Sequence, residues 1–277
     1  MDIKPLSGVG AEVTDVDLKT LTSAEFDLIQ QAFAQQGLLF FRDQDLSETD
    51  HITFAERFGK INVNRFFAAH AAHPQIALVA KEPDQTANIG GGWHTDHSYD
   101  EEPALGSILV ARELPDMGGD TWFANMYKAY DSLSDGLKHM LGSLQAVHSA
   151  KHVFGSDAGY DRQVTAGRIG NAEAADSLTD PVHPVVITHP LSGRKALYVN
   201  PGFTQHFLGW TVEESRPLLD YLYKVAVAEE FVTRFQWQPG SIAFWDNRST
   251  WHFAQNDYQG KRRVMHRITI DGCALAA

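Results

Sequence analysis

The sequence predicts a mainly β chain with helices flanking its strands. Short segments rich in β-branched and aromatic residues, several with period-two alternation, recur between residues 76 and 270 and are separated by polar or glycine-containing breaks. Helix-start signals are confined to a few places, among them the boxes Thr22-Ser23-Ala24-Glu25 and Thr211-Val212-Glu213-Glu214. The chain has 277 residues, 43% of them hydrophobic, which suffices for one large core. With no internal repeat and no linker composition, residues 1–277 are read as one domain.

Taken in order, the first box opens an amphipathic helix with Phe26, Ile29 and Phe33 on one stripe, stopped at Gly37. Leu38 to Phe41 then reads as a buried strand. A second helix is expected from Ser47 to Phe58, a third from Ser134 to Leu144, and a fourth from Thr211 to about Val227. Strands are expected at 76–80, 93–97, 105–112, 120–123, 184–189, 196–200, 231–237, 241–245 and 263–270. Residues 155–182 stand apart: they are rich in Gly, Ala, Asp and Ser, and are expected to form a lid or a flexible loop.

Charge and cysteine usage narrow the function classes. A formal net charge of -12 argues against nucleic acid as a partner, because phosphate binding needs a basic face. The lone Cys273 rules out an internal disulfide. Met1-Asp2-Ile3-Lys4-Pro5 lacks a basic-then-apolar signal pattern, and no uncharged apolar run of membrane-spanning length occurs, so a reducing, cytoplasmic setting is expected. The expected partners are a small-molecule anion and further copies of the same chain in a dimer or tetramer, with neither nucleic acid nor membrane.

Chemistry concentrates in two places. His94-Thr95-Asp96 follows Gly90-Gly91-Gly92, a helix breaker that leads into the expected 93–97 strand. On a strand, residues two apart share a face, whereas on a helix they lie about 200° apart, so a strand aims His94 and Asp96 at one ion. A surface His and Asp that merely fall two apart is the alternative, since the chain has 13 histidines. Zinc held by His94 and His97 is another, although three residues along a strand the side chains diverge. Downstream, Trp251-His252-Phe253 begins an element after the polar turn Asp246-Asn247-Arg248, whose Asp246 and Asn247 either orient His252 or close the turn. Two imidazoles and one carboxylate are the protein part of a non-haem iron(II) site. In 263–270, Arg263, Met265, Arg267 and Thr269 share one strand face, and an inward Arg263 is the natural anchor for a carboxylate co-substrate. A plain hairpin would instead expose both arginines.

These residues also carry a resemblance. Trp93-His94-Thr95-Asp96, Gly118-Gly119-Asp120-Thr121, His183-Pro184-Val185-Val186, Thr188-His189-Pro190, Tyr198-Val199-Asn200, Trp245-Asp246-Asn247-Arg248 and Arg262-Arg263-Val264-Met265-His266-Arg267 occur in the order found in the taurine dioxygenase family. The chain resembles that family of iron(II)/2-oxoglutarate-dependent dioxygenases nearly end to end. The resemblance implies a double-stranded β-helix, the jelly-roll barrel of cupins. It implies His94, Asp96 and His252 as Fe(II) ligands, Thr121 and Arg263 as the pair holding the distal carboxylate of 2-oxoglutarate, and O₂ as the second co-substrate. It further implies that Arg267 meets an anionic group of the primary substrate.

Departures from the taurine enzymes fall in the substrate shell. Asn64 and Phe67 stand where those enzymes carry His and Tyr, Gly90 replaces an asparagine, and Val153 replaces a serine. Arg267 remains, with Phe154 and Phe203 as expected apolar walls. Losing several hydrogen-bonding groups penalises a small zwitterion, so the expected substrate is a larger, more apolar anion than taurine, hydroxylated with release of succinate and CO₂. The segment around His148 and Phe154 resembles the aryloxyalkanoate branch. Two rival classes are a zinc-dependent hydrolase, which has no need of Thr121 and Arg263, and a non-catalytic jelly-roll binding protein, which has no need of the triad.

Overall fold

The computed structural model describes residues 1–156, 158 and 168–277. Of the 155–182 stretch, residues 157 and 159–167 lie outside the described residues. Its described remainder includes a short helix, Ala172–Asp176, and a β-bridge between Ile169 and Phe67.

The helices begin where their caps sit. The Thr22 hydroxyl accepts from the Glu25 N–H, the Glu25 carboxylate accepts from the Thr22 N–H at 2.9 Å, and helix Ser23–Gln36 follows. It ends at Gly37, whose left-handed φ of 70° brings its N–H onto the Phe33 carbonyl. Capping boxes at Ser47/Asp50 and Thr211/Glu214 likewise start helices Glu48–Glu56 and Val212–Ala226. A lone side-chain cap at Ser134 starts Asp135–Leu141.

Among the described residues the strands form one eight-stranded sheet and three smaller sheets rather than a single closed hydrogen-bonded barrel. In the large sheet, Leu38–Phe41 and Gly106–Glu113 flank Ile242–Asp246, and Arg263–Ile270 pairs on the far side of Gly106–Glu113. One smaller sheet sets Thr121–Asn125 between Val232–Phe235 and Thr250–Ala254. Period-two alternation explains how the layers stack. Leu39, Phe41, Ile108, Phe244 and Ile268 turn to one face and bury against Ile29, Phe33 and Phe54 of the first two helices. Phe40, Leu109, Trp245 and Met265 turn to the other and pack on Phe123 and Phe235 of the facing small sheet and on Trp237 just beyond it. Each fully buried ring or branched chain contributes roughly 1.5–3 kcal/mol.

The mainly β architecture with flanking helices agrees with the sequence reading, and the strand Arg263–Ile270 has the expected bounds. The 196–200 strand shortens to Lys195–Leu197, and strands Gln145–His148 and Thr204–Phe207 are not among those expected. Two further elements differ. The 184–189 strand is split into Val182–Pro184 and Val186–Thr188, which pair with different partners. The 93–97 strand does not form: His94 makes an isolated bridge, and residues 96–99 form a turn in which His97 adopts φ 62°.

Candidate active site

A reciprocal backbone pair puts two imidazoles together. The His94 N–H donates to the His252 carbonyl at 3.1 Å, and the His252 N–H returns to the His94 carbonyl at 2.8 Å. His252 lies on strand Thr250–Ala254, so the bridge fixes the first histidine against a hydrogen-bonded sheet. The turn that begins after Thr95 then swings Asp96 between them. His94 Nε2 lies 3.6 Å from Asp96 Oδ1 and His252 Nε2 lies 3.8 Å from Asp96 Oδ2. All three donor atoms are within 4.8 Å of one another. His94 Nδ1 donates to the Gly92 carbonyl at 2.7 Å, which leaves the Nε2 lone pair facing the carboxylate. Thus the shared face of His94 and Asp96 comes from a bridge and a turn, not from the strand pleat.

The electrostatics suit a divalent ion. Burial pushes the Asp96 carboxyl up, but Arg267, followed by His252, His94 and His97, outweighs it and holds the group below the usual carboxylate range. Burial, reinforced by His94, pushes the His252 imidazole well down against the opposing pull of Asp96, so its ring is neutral and free to bind metal. His97, the alternative ligand, is instead tied to Asp100 through Nδ1 at 2.8 Å.

A cavity of about 520 Å³ opens over this cluster. Thr121, Arg263 and Arg267 line it, as do Phe67, Gly90, Val153, Phe154 and Phe203. Arg263 and Arg267 are only 5% and 6% exposed, which overturns the exposed-hairpin alternative. Arg263 Nε and Nη2 have no hydrogen-bond partner among the described residues. Thr121 Oγ1 accepts the indole N–H of Trp237 at 2.9 Å. Arg267 donates from Nη1 to Asp96 Oδ2 at 3.1 Å, and its guanidinium carbon sits 4.4 Å from the centre of the Phe67 ring. A buried fork with open donors and an adjacent hydroxyl fit a carboxylate, and the donor set of the triad fits Fe(II).

The description "Taurine catabolism dioxygenase TauD, TfdA family" matches residues 2–269. The chain belongs to this family. An alpha-ketoglutarate-dependent sulfonate dioxygenase of Saccharomyces cerevisiae is 31% identical over 94% of the chain, which spans 64% of that protein's length. An (S)-phenoxypropionate/alpha-ketoglutarate-dioxygenase of Sphingobium herbicidovorans is 33% identical, with 98% of this chain and 95% of that protein covered. The crystal structure of a taurine dioxygenase from Burkholderia xenovorans superimposes with a TM-score of 0.82 at 31% identity, covering all of this chain and 92% of the other. The TauD, TfdA-family chain is accordingly an oxidoreductase that depends on Fe(II), 2-oxoglutarate and O₂.

Several expectations for this TauD, TfdA-family site need correction. Asn64 does not line the cavity. Its side-chain oxygen accepts the N–H groups of Phe66 and Phe67 at 2.9 and 3.0 Å, an Asx turn that presents Phe67 instead. Of the two roles open to Asp246, it closes the turn rather than orienting His252: its carboxylate accepts the Arg248 N–H at 2.9 Å and is also taken by the Arg248 guanidinium and by His189 Nε2 at 3.0 Å. Nor does the Asn247 side chain orient His252, as both its polar atoms lack partners. Trp93, Trp245 and Ile169 line the cavity, though scattered tryptophans and a low-complexity stretch gave no sequence signal for it. A second group of possible ligands, Glu48, His70 and His266, meets on the opposite face of Arg263–Ile270. There Arg112 Nε donates to His266 Nδ1 at 3.0 Å and Nη2 lies 3.8 Å from Glu48, so a guanidinium already holds the cation position.

Proposed function

We propose that the chain hydroxylates a small anionic organic substrate larger and more apolar than taurine. The observation that carries this reading is a single cavity in which His94, Asp96 and His252 sit between two buried arginines and a mostly apolar wall. Fe(II), 2-oxoglutarate and O₂ together supply the oxidising chemistry, giving succinate and CO₂ and adding one oxygen atom to a substrate carbon. His94, Asp96 and His252 would hold the metal, and the cavity above them would receive 2-oxoglutarate and the substrate. Arg263 and the Thr121 hydroxyl grip the distal carboxylate of 2-oxoglutarate and fix the direction from which its keto acid end approaches. Arg267, held beside the triad by its bond to Asp96, would pair with the substrate anion. Phe67, Val153, Phe154 and Phe203 exclude water and favour apolar substrate surface, while Gly90 leaves space beside His94.

Taurine fits this wall poorly. Among the described residues Asp96 is the one carboxylate lining the cavity, and it is engaged by Arg267, so an ammonium group finds no counter-ion. We further propose that residues 1–277 act as one domain, in the cytoplasm, as a homo-oligomer, without nucleic acid or membrane. Among the described residues no helix is long and apolar enough to cross a membrane.

The test is substrate-dependent succinate release by the Fe(II)-loaded protein with taurine, a medium-chain alkyl sulfonate, a medium-chain alkyl sulfate and an aryloxyalkanoate. At least one bulkier anion is expected to exceed taurine in kcat/KM by ten-fold or more, with Asp96→Ala abolishing turnover. Taurine outpacing every bulkier anion would refute the reading of the wall.

A further inference from the structure

Behind the cavity wall lies a residue that touches both members of the Thr121/Arg263 pair. Trp237 follows strand Val232–Phe235, is 7% exposed, and packs its ring edge-on to Phe235 with centroids 4.9 Å apart. It does not line the cavity, whereas Thr121 does. Its indole Nε1 lies 2.9 Å from Thr121 Oγ1, and its ring centre lies 5.7 Å from the Arg263 guanidinium carbon.

The polarity of that hydrogen bond is not a matter of choice. Indole nitrogen only donates, so Thr121 Oγ1 must be the acceptor. A hydroxyl has one hydrogen and two lone pairs, and with the indole N–H on one lone pair the hydrogen must point away from Trp237 and is left for another acceptor. Thr121 is also pinned by its strand, paired with Phe235 on one side and Ala254 on the other. We propose that Trp237 is a positioning residue for 2-oxoglutarate: its N–H turns the Thr121 hydroxyl proton toward the distal carboxylate, while its ring flanks the Arg263 guanidinium. Accepting from the indole also polarises the hydroxyl and makes it a better donor. Arg263, with Nε and Nη2 otherwise unpartnered, is kept within cation–π range of the same ring.

The inference rests on Thr121 and Arg263 holding the carboxylate, and the experiment separates the two. Trp237→Phe keeps a ring and removes the N–H. By anaerobic calorimetry on the Fe(II)-loaded protein, its Kd for 2-oxoglutarate should rise about 3- to 10-fold, the range expected for one neutral hydrogen bond. In turnover, KM for 2-oxoglutarate should rise in step, with kcat and the KM for the primary substrate within two-fold of wild type. In a Thr121→Val background the same change should have no further effect on Kd. If Arg263→Ala and Thr121→Val weaken binding but Trp237→Phe does not, the role of Trp237 is refuted and the anchor stands. If Arg263→Ala and Thr121→Val leave Kd unchanged, the anchor itself falls, and this inference with it. Should Trp237→Phe fail to fold, ¹⁵N-indole spectra of the wild type with Zn(II) in place of iron decide the matter. The indole resonance displaced by Thr121→Val must also move when 2-oxoglutarate is added, and a resonance that stays put overturns the proposal.

Discussion

Arg267 Nη1 donates to Asp96 Oδ2 at 3.1 Å, joining a cavity arginine to the carboxylate of the His94/Asp96/His252 cluster. Arg263 lies four residues earlier on the same face of the same strand, about 13 Å away along an extended chain. The two guanidinium groups keep different company: Arg267 is tied to Asp96, whereas Arg263 lies beside the Trp237 ring. Arg263→Ala is expected to raise the KM for 2-oxoglutarate by roughly one to two orders of magnitude, the effect of losing charge-assisted hydrogen bonds of about 1.5–3 kcal/mol. Arg267→Ala is expected to act mainly on the KM of the primary substrate. Steady-state kinetics with each substrate varied in turn will check this, and reversed effects would sink the division of labour.

Gly202 guards the position of His94. A Cβ built on Gly202 would fall 2.6 Å from His94 Cβ, and the reciprocal backbone pair with His252 keeps the histidine from retreating. Gly202→Ala should therefore tilt the His94 ring away from Asp96 and His252. Overpacking of this kind costs about 1–3 kcal/mol of stability. Because misplaced catalytic groups are punished steeply, turnover is expected to fall roughly 100-fold. Fe(II) titration followed by succinate release will measure both effects. Wild-type iron affinity and turnover in Gly202→Ala would show that the ring has room to spare.

Acid stability should depend on His51. Its side chain is fully buried under the large sheet, and burial, then Arg112 and His266, push the ring down to about 3. Burial also pushes His266 down to about 4. Because both folded values lie below the unfolded value of about 6.5, the unfolded chain takes up protons first as the pH falls. Stability is thus fully present above about pH 6.5 and is lost progressively toward pH 3 to 4. His51→Leu should flatten that acid limb in thermal melts from pH 7 to pH 4. A Tm difference from wild type that does not change with pH would refute the role of His51.

How much could be read without coordinates depended on whether the signal was local. Capping boxes and glycine stops depend on neighbouring residues, and helices Ser23–Gln36 and Val212–Ala226 start and end close to where those signals place them. Alternation in 263–270 assigned Arg263 and Arg267 to one face, but not whether that face was buried, because only the sheet opposite decides it. His94 and Asp96 meet although the expected strand is absent: the tertiary bridge to His252 takes over the geometry that local pleating was expected to provide. Asn64 misled for a related reason. Its position along the chain matched a substrate residue, but an asparagine oxygen can satisfy two nearby backbone N–H groups, and it turned to them. No pattern in the chain foreshadowed the Trp237–Thr121 contact, which spans 116 residues.

Much of the apolar wall is built in a different part of the molecule from the sheets that carry four of the reactive side chains. Thr121, His252, Arg263 and Arg267 stand on strands of the sheets. Phe67, Val153, Phe154, Ile169 and Phe203 instead pack in or against a separate small core with Phe66 and Tyr99, built from loops and short helices. Substitutions in that outlying core can recast the shape of the chamber without disturbing the main sheet packing, although Phe67 also meets Arg267 and Phe203 meets His94. Such a layout makes selectivity open to change by a few mutations at a time. A library confined to these five positions is where new substrates for this scaffold should be sought first.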